Sequence, residues 1–237
     1  MTGTLINVVT VLLGGSLGLF FGARFPERVR QTVVAGLGLF TLVIGVSMFM
    51  DTQNAIVVLG SLLVGGVLGE LIRIEAGLER FGAYLEGRFT AGGEEGEGEG
   101  SSRFVKGFLT ASLVFCVGPM TIIGSIQDGL TGDYQLLAIK SVLDGFAAMA
   151  FASTFGVGVL FSVIVVFSFQ GGLSLLAVQA QALISDAMIA EMTAVGGVLL
   201  LGLAFRMLEI KKIRVGNFLP GLLVAPVIVA ILVALGI

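Results

Sequence analysis

Eight long apolar runs divide the sequence, at about residues 5–22, 32–50, 55–73, 105–126, 136–155, 157–177, 193–209 and 218–236. Each approaches the ~20 residues that an α-helix needs to cross the hydrocarbon core of a bilayer. A chain of 237 residues cannot hide that much continuous apolar length inside a water-soluble globule. Composition agrees, because 12% of the residues are charged where soluble domains carry about 25%, and the mean hydropathy is +1.07. The expected class is all-α, a polytopic integral membrane bundle of about 8 transmembrane helices with one of them broken at a proline.

The loops test that count independently. Arg24, Arg28 and Arg30 follow the first run; Arg73, Arg80, Arg88, Arg103 and Lys106 follow the third; Lys211, Lys212 and Arg214 follow the seventh. The loops between them hold Asp51, then Asp128 and Asp133, then Asp186 and Glu191, and neither Lys nor Arg. Basic residues collect on the cytoplasmic side, so loops 23–31, 74–104 and 210–217 are expected inside and both termini outside. Treating 136–177 as one span would put Lys211, Lys212 and Arg214 on the wrong side, so it is read as two spans turning at Thr154-Phe155-Gly156-Val157-Gly158. Residues Met1 to Asn7 have no basic leader and no cleavage pattern follows, so the first run is read as a retained span.

Three stretches organise the chain on this reading. Residues 1–74 form a three-span N-terminal half, 75–102 a cytoplasmic connection, and 103–237 a five-span C-terminal half. Within the connection, 75–89 places Leu78, Phe81 and Leu85 at helical spacing among charges, the pattern of an amphipathic helix on a membrane surface. The acidic, Gly-rich segment 91–102 after it has the composition of a flexible linker.

Several chemistries are excluded or disfavoured. There is no histidine, and one cysteine, Cys116, cannot make an internal disulfide or a thiolate cluster. A net charge of −3 argues against a nucleic-acid partner. No cofactor and no metal are expected, and the chain is expected not to be an enzyme. A rhomboid-type serine protease would need a histidine, and an aspartyl type would need two facing intramembrane aspartates. Asp133 falls in a loop, which leaves Asp144 alone.

Ionisable groups at membrane depth are expensive and therefore informative. Asp144 lies near the middle of the fifth run, with Lys140 one turn earlier and Ser141 beside it. In the fourth run Gly118 and Pro119 break the helix, since proline removes a backbone donor and frees a carbonyl one turn back. Ser125, Gln127 and Asp128 follow directly, and Gln170 sits in the sixth run. Broken helices of this kind coordinate ions or charged groups in transporters. Asp144, Lys140, Ser141, Ser125, Gln127, Asp128 and Gln170 are the candidate substrate or ion ligands. Glu70 is expected to pair with Arg73 or to sit in the headgroup zone, and Arg206 to snorkel to the interface.

Glycine occurs 36 times, and its spacing matters. Gly14, Gly18 and Gly22 recur every four residues in the first run, as do Ser61, Gly65 and Gly69 in the third. Such ladders let helix backbones approach closely; they could also serve a homo-oligomer contact, as in a dimer. The runs Gly14-Gly15-Ser16-Leu17-Gly18, Gly65-Gly66-Val67-Leu68-Gly69 and Gly196-Gly197-Val198-Leu199 share a pattern that leaves an internal repeat open.

The central segments carry a family likeness. Cys116-Val117-Gly118-Pro119-Met120, Gly124-Ser125-Ile126-Gln127-Asp128-Gly129, Lys140-Ser141-Val142-Leu143-Asp144-Gly145, Ala152 through Val159, Phe169-Gln170-Gly171, Ala194 through Gly197 and Ile213 through Pro220 resemble the domain of unknown function 554 family of YqgA/YdfK-like bacterial membrane proteins. The resemblance covers essentially the whole chain. It implies a bacterial inner-membrane, multi-pass protein with a transport label and no named substrate; the acidic insert at 91–102 departs from the pattern. Two functions compete. One is a transporter or channel for a small ion or solute, for which a polar vestibule reaching Asp144 would speak. The other is a non-transporting scaffold or sensor assembled through Gly-rich helices, for which a closed core and a tight Lys140–Asp144 pair would speak.

Overall fold

The structure is a computed structural model that describes residues 1–22, 26–89, 99–116, 118–179 and 184–235. These residues form α1 (Thr2–Gly22), α2 (Glu27–Phe49), α3 (Ala55–Ile72), α4 (Ile74–Phe89), α5 (Glu99–Cys116), α6 (Pro119–Leu130), α7 (Gln135–Phe155), α8 (Gly158–Leu175), α9 (Asp186–Met207) and α10 (Gly221–Leu235), with a 3-10 turn at Val215–Phe218 before α10. There is no strand among the described residues. Among the described residues seven stretches are long and apolar enough to cross a membrane, and α5 with α6, bent by 62° at their break, count as an eighth if the pair is one span.

Local chemistry sets the boundaries. Pro119 opens α6, where a missing N–H breaks no helical bond. Asn54 caps α3 by accepting from the Ile56 N–H at 3.1 Å, and Arg73 ends that helix in a left-handed conformation at φ 58°. The expected turn between the fifth and sixth spans falls at Gly156, whose φ of 84° few other residues adopt.

The chain groups into two compact units. The first comprises Met1–Gly36, Leu78–Cys116 and Met120–Val178; the second comprises Leu37–Gly77, Val117–Pro119 and Gln179–Ile237.

In the first unit α1 lies along α7 in the same direction, with Gly14 against the carbonyl of Gly145, Gly18 against that of Met149 and Gly22 against Ser153. α1 runs opposite to α8, because Gly15 meets Leu160 while the Met1 methyl lies at Gly171. α8 runs with the α5–α6 pair: Gly158 packs on the Phe104 backbone, and Ser174 Oγ donates to the Ser125 carbonyl at 2.9 Å. These senses require α7 and α8 to be separate crossings, so 136–177 is two spans.

In the second unit α3 opposes the 3-10 turn and α10, with Gly65 on Gly221 and Gly69 on Asn217. α2 opposes α9, with Gly45 on Gly197 and Gly38 on Leu208. Both glycine ladders are therefore covered by the chain's own helices. Without a hydrophobic force between helices in lipid, this close backbone approach supplies the van der Waals contact that holds them together. Leucines off the ladders, such as Leu13 and Leu63, are 61% exposed, as lipid-facing side chains would be.

Three expectations need correction. The helix over 75–89 forms, as α4, but Leu85 is buried with Phe104, Phe108 and Leu109, and Leu78 packs on the same cluster. That stripe is spent on α5 rather than left free for a membrane surface; Phe81 remains 40% exposed. Of the segment 91–102, residues 91–98 lie outside the described residues, while 99–102 form the first turn of α5. Finally, Asp186 and Glu191 are not loop residues, because α9 starts at Asp186. Glu191 is buried: Thr52 Oγ1 donates to it at 2.7 Å, as do the N–H groups of Gln53 at 2.8 Å and Asn54 at 2.9 Å. A carboxylate so fully supplied with donors can sit inside an apolar helix.

Candidate functional site

The site in the first unit begins at a backbone defect. The Phe115 carbonyl would ordinarily accept from the N–H four residues on, and that residue is Pro119, which has none. Two side chains supply the missing donors: Lys140 Nζ at 2.8 Å and Thr121 Oγ1 at 3.1 Å. The broken span is thus completed by α7.

Asp144 follows Lys140 by one helical turn, and the two form a direct ion pair between Nζ and Oδ2. Both are buried, at 6% and 7% exposure. Counting nine residues from the start of α7 at 1.5 Å each puts Asp144 about 14 Å along the helix, near mid-membrane. Asn7 of α1 donates its Nδ2 to the same carboxylate oxygen at 2.9 Å. A buried charge pair repays its desolvation only when further hydrogen bonds satisfy it, and here Asn7 and the Phe115 carbonyl provide them.

The remaining candidates divide. Asp128 lies in the last turn of α6 and is buried. Its Oδ2 accepts from the Gly3 N–H at 3.0 Å and lies 3.1 Å from the Met1 amino group, so this carboxylate caps the positive end of the α1 dipole. Ser125 and Gln170 are fully buried. The Ser125 hydroxyl, Asp128 Oδ1 and both amide atoms of Gln170 have no hydrogen-bond partner among the described residues. Ser141 merely returns a hydrogen bond to the Leu137 carbonyl of its own helix at 2.6 Å. Gln127 does not join the site: one residue from Asp128 is 100° around the helix, and its side chain is exposed.

Sequence reasoning missed Asn7 and Thr4. The signal was present, since two polar residues three apart near the start of a largely apolar span share one helical face; both are fully buried.

The second unit holds a separate polar knot. Glu75, buried, accepts from Arg206 Nη1 at 2.6 Å and from the Gly216 N–H at 2.6 Å. Glu70 pairs with Arg214 at 2.6 Å and accepts from Asn217 Nδ2 at 2.6 Å. Glu70 thus takes Arg214 and Asn217 rather than Arg73, and Arg206 finds a carboxylate within the unit.

A chain built of apolar helices packed through glycine, with a charged pair inside one of them, is a multi-pass membrane protein. It belongs to the family described as "Protein of unknown function (DUF554)", whose profile matches residues 2–230. It is 31% identical over 240 residues to the "Uncharacterized membrane protein YdfK" of Bacillus subtilis (strain 168), spanning 100% of this chain and 99% of that one. It is 34% identical over 223 residues to the "Uncharacterized protein YqgA" of Escherichia coli (strain K12), spanning 94% of each. No solved structure matches it.

Proposed function

We propose that the protein is a non-enzymatic transporter or channel for a small ion or solute, acting through the Lys140–Asp144 pair at the broken span. One observation carries this reading: an ion pair is held at mid-membrane against a carbonyl that a proline has stripped of its helical donor. Intramembrane charges face pathways by default, and unwound carbonyls are the ion ligands of broken-helix transporters. Unpartnered polar atoms on α6 and α8 support a polar chamber beside the pair. We place the chain in the bacterial cytoplasmic membrane with its basic loops inside and both termini outside; the helix directions within each unit support that alternation.

The second reading, a scaffold or sensor, is favoured by the direct pairing of the buried Lys140 and Asp144 with each other. A dimer built on the glycine ladders finds no support, because each ladder is already covered within its own unit.

Liposomes carrying the purified protein separate the two. The transport reading expects cation or solute flux that falls at least tenfold in Asp144→Asn, a substitution that keeps an acceptor for Asn7. Flux unchanged in that variant removes Asp144 from the pathway, and no flux for any of Na⁺, K⁺, H⁺ or Cl⁻ leaves the scaffold.

A further inference from the structure

A layer of the first unit lies one to two turns nearer the amino end of α1 than the Asn7–Asp144 contact. Gly3 of α1 and Gly124 of α6 both rest on Leu137 of α7, so Thr4 and Ser125, the next residues of each helix, sit at that level. Thr4 also precedes Gly15 by eleven residues, which is three turns of helix. It therefore lies on the stripe of α1 that meets α8 at Leu160. Three turns along the opposed α8 from Leu160 is Gly171, beside Gln170, and the Met1 methyl at Gly171 confirms that register. Ser174, one turn from Gln170 on the same face, is tied to the Ser125 carbonyl. Asp128 is fixed there by its bond to the Gly3 N–H.

Five buried side chains from three helices thus share one layer or its immediate neighbour. Each has a polar atom with no partner among the described residues: Thr4 Oγ1, Asn7 Oδ1, Ser125 Oγ, Asp128 Oδ1 and the Gln170 amide. The Asn7 assignment follows from chemistry, since a carboxylate can only accept and Nδ2 must face Asp144, leaving Oδ1 free. Buried polar groups are almost always satisfied, so this layer calls for an occupant. Its chemistry is acceptor-rich: Asn7 Oδ1, Asp128 Oδ1 and Gln170 Oε1 only accept, two hydroxyls do either, and one amide nitrogen donates. An anion would lack donors. A divalent cation would want more carboxylate than one Asp whose other oxygen is already engaged.

We propose that this layer binds a small monovalent cation on the oxygens of Thr4, Asn7, Ser125, Asp128 and Gln170. The inference rests on the transport reading for its place in a pathway: Asn7 touches the cation with Oδ1 and Asp144 with Nδ2, linking the layer to the ion pair. Cation binding there stabilises the fold whether or not anything is transported.

The test uses the full chain purified in detergent, unfolded thermally in choline chloride and in NaCl, KCl, LiCl and NH4Cl at equal ionic strength. At about 100 times its Kd one of these ions raises the apparent Tm by several degrees. The rise is lost in Gln170→Leu and Thr4→Val. Should those variants fold poorly in choline, Ser125→Ala serves instead, with the half-saturating concentration rising about tenfold. The alkali and ammonium arms say which cation binds. The proposal is overturned if every salt matches choline, which leaves buried water as the occupant, or if the shift survives all three substitutions. The two readings fail separately. A saturable cation shift without flux in liposomes retires transport and keeps the site, while flux without any cation shift does the reverse.

Discussion

Lys140 Nζ stands 2.8 Å from the carbonyl oxygen of Phe115, so a side chain of α7 completes the backbone of the broken span. Removing that ammonium strips the carbonyl of one donor and the Asp144 carboxylate of its counter-charge. Lys140→Met is expected to lower the apparent Tm sharply, since breaking a buried pair costs about 3–5 kcal/mol of stability. Lys140→Met with Asp144→Asn should recover part of the loss. A double-mutant cycle by thermal unfolding in detergent measures the coupling, expected at about 0.5–3 kcal/mol; additive losses would show that the two residues act independently.

The ladder of α1 makes a contrasting prediction. A Cβ at Gly14 or Gly18 would meet the backbone carbonyl of Gly145 or Met149, which cannot swing aside as a side-chain tip could. Gly14→Val and Gly18→Val are therefore expected to give little folded protein, scored by size-exclusion chromatography after extraction. Gly36→Ala is the control, because nothing lies within 4 Å of that position. Alanine is worth about 1 kcal/mol more than glycine in a helix, so this variant should match or exceed the parent.

Glu191 anchors residues 52–54 at the start of α3 through three charge-assisted bonds. Such bonds contribute about 1.5–3 kcal/mol each in favourable settings. Glu191→Leu is expected to lower the apparent Tm by several degrees, with Glu191→Gln intermediate since its amide oxygen still accepts. Hydrogen exchange at Gln53 and Asn54 should accelerate in step; unchanged exchange would mean that the loop holds itself.

The two acidic residues flanking Arg73 should behave unequally. Glu75 is 5% exposed and bound by Arg206 and Gly216, whereas in the Glu70–Arg214 pair the side chains are 51% and 69% exposed. Exposed pairs contribute about 0–1 kcal/mol. Glu75→Ala is expected to cost several times as much as Glu70→Ala in thermal unfolding, and adding about 0.5 M salt should weaken only the Glu70 contribution. Equal losses would overturn this account of the knot.

Much of the scaffold was legible because two independent signals, apolar length and loop charge, had to agree on each span. Their agreement placed the Gly156 turn inside a 42-residue run that hydropathy alone leaves undivided. Proline chemistry located the carbonyl that loses its helical donor in the broken span, and helical spacing joined Lys140 to Asp144. What stayed hidden were partnerships made across the sequence. Nothing local says that Asn7 would meet Asp144, that Glu191 would anchor residues 52–54, or that Arg206 would take Glu75. Charge near a span end reads as a loop or a snorkelling side chain until a tertiary partner pulls it inward, and Glu191 shows how completely that can mislead. The stripe of α4 was legible as a stripe, but periodicity does not say whether lipid or another helix will cover it.

Asn7 and Asp144 lie 137 residues apart in the chain. At translation rates of about 5–20 residues per second, about 7 to 27 seconds pass between the emergence of one and the other. Through that interval the nascent first helix holds a carboxamide whose acceptor has not yet been made. Its glycine ladder, too, faces surroundings other than α7. A substitution that spoils α7 would therefore strand a helix synthesised long before it, and its first visible effect would be on how long the newborn chain survives quality control.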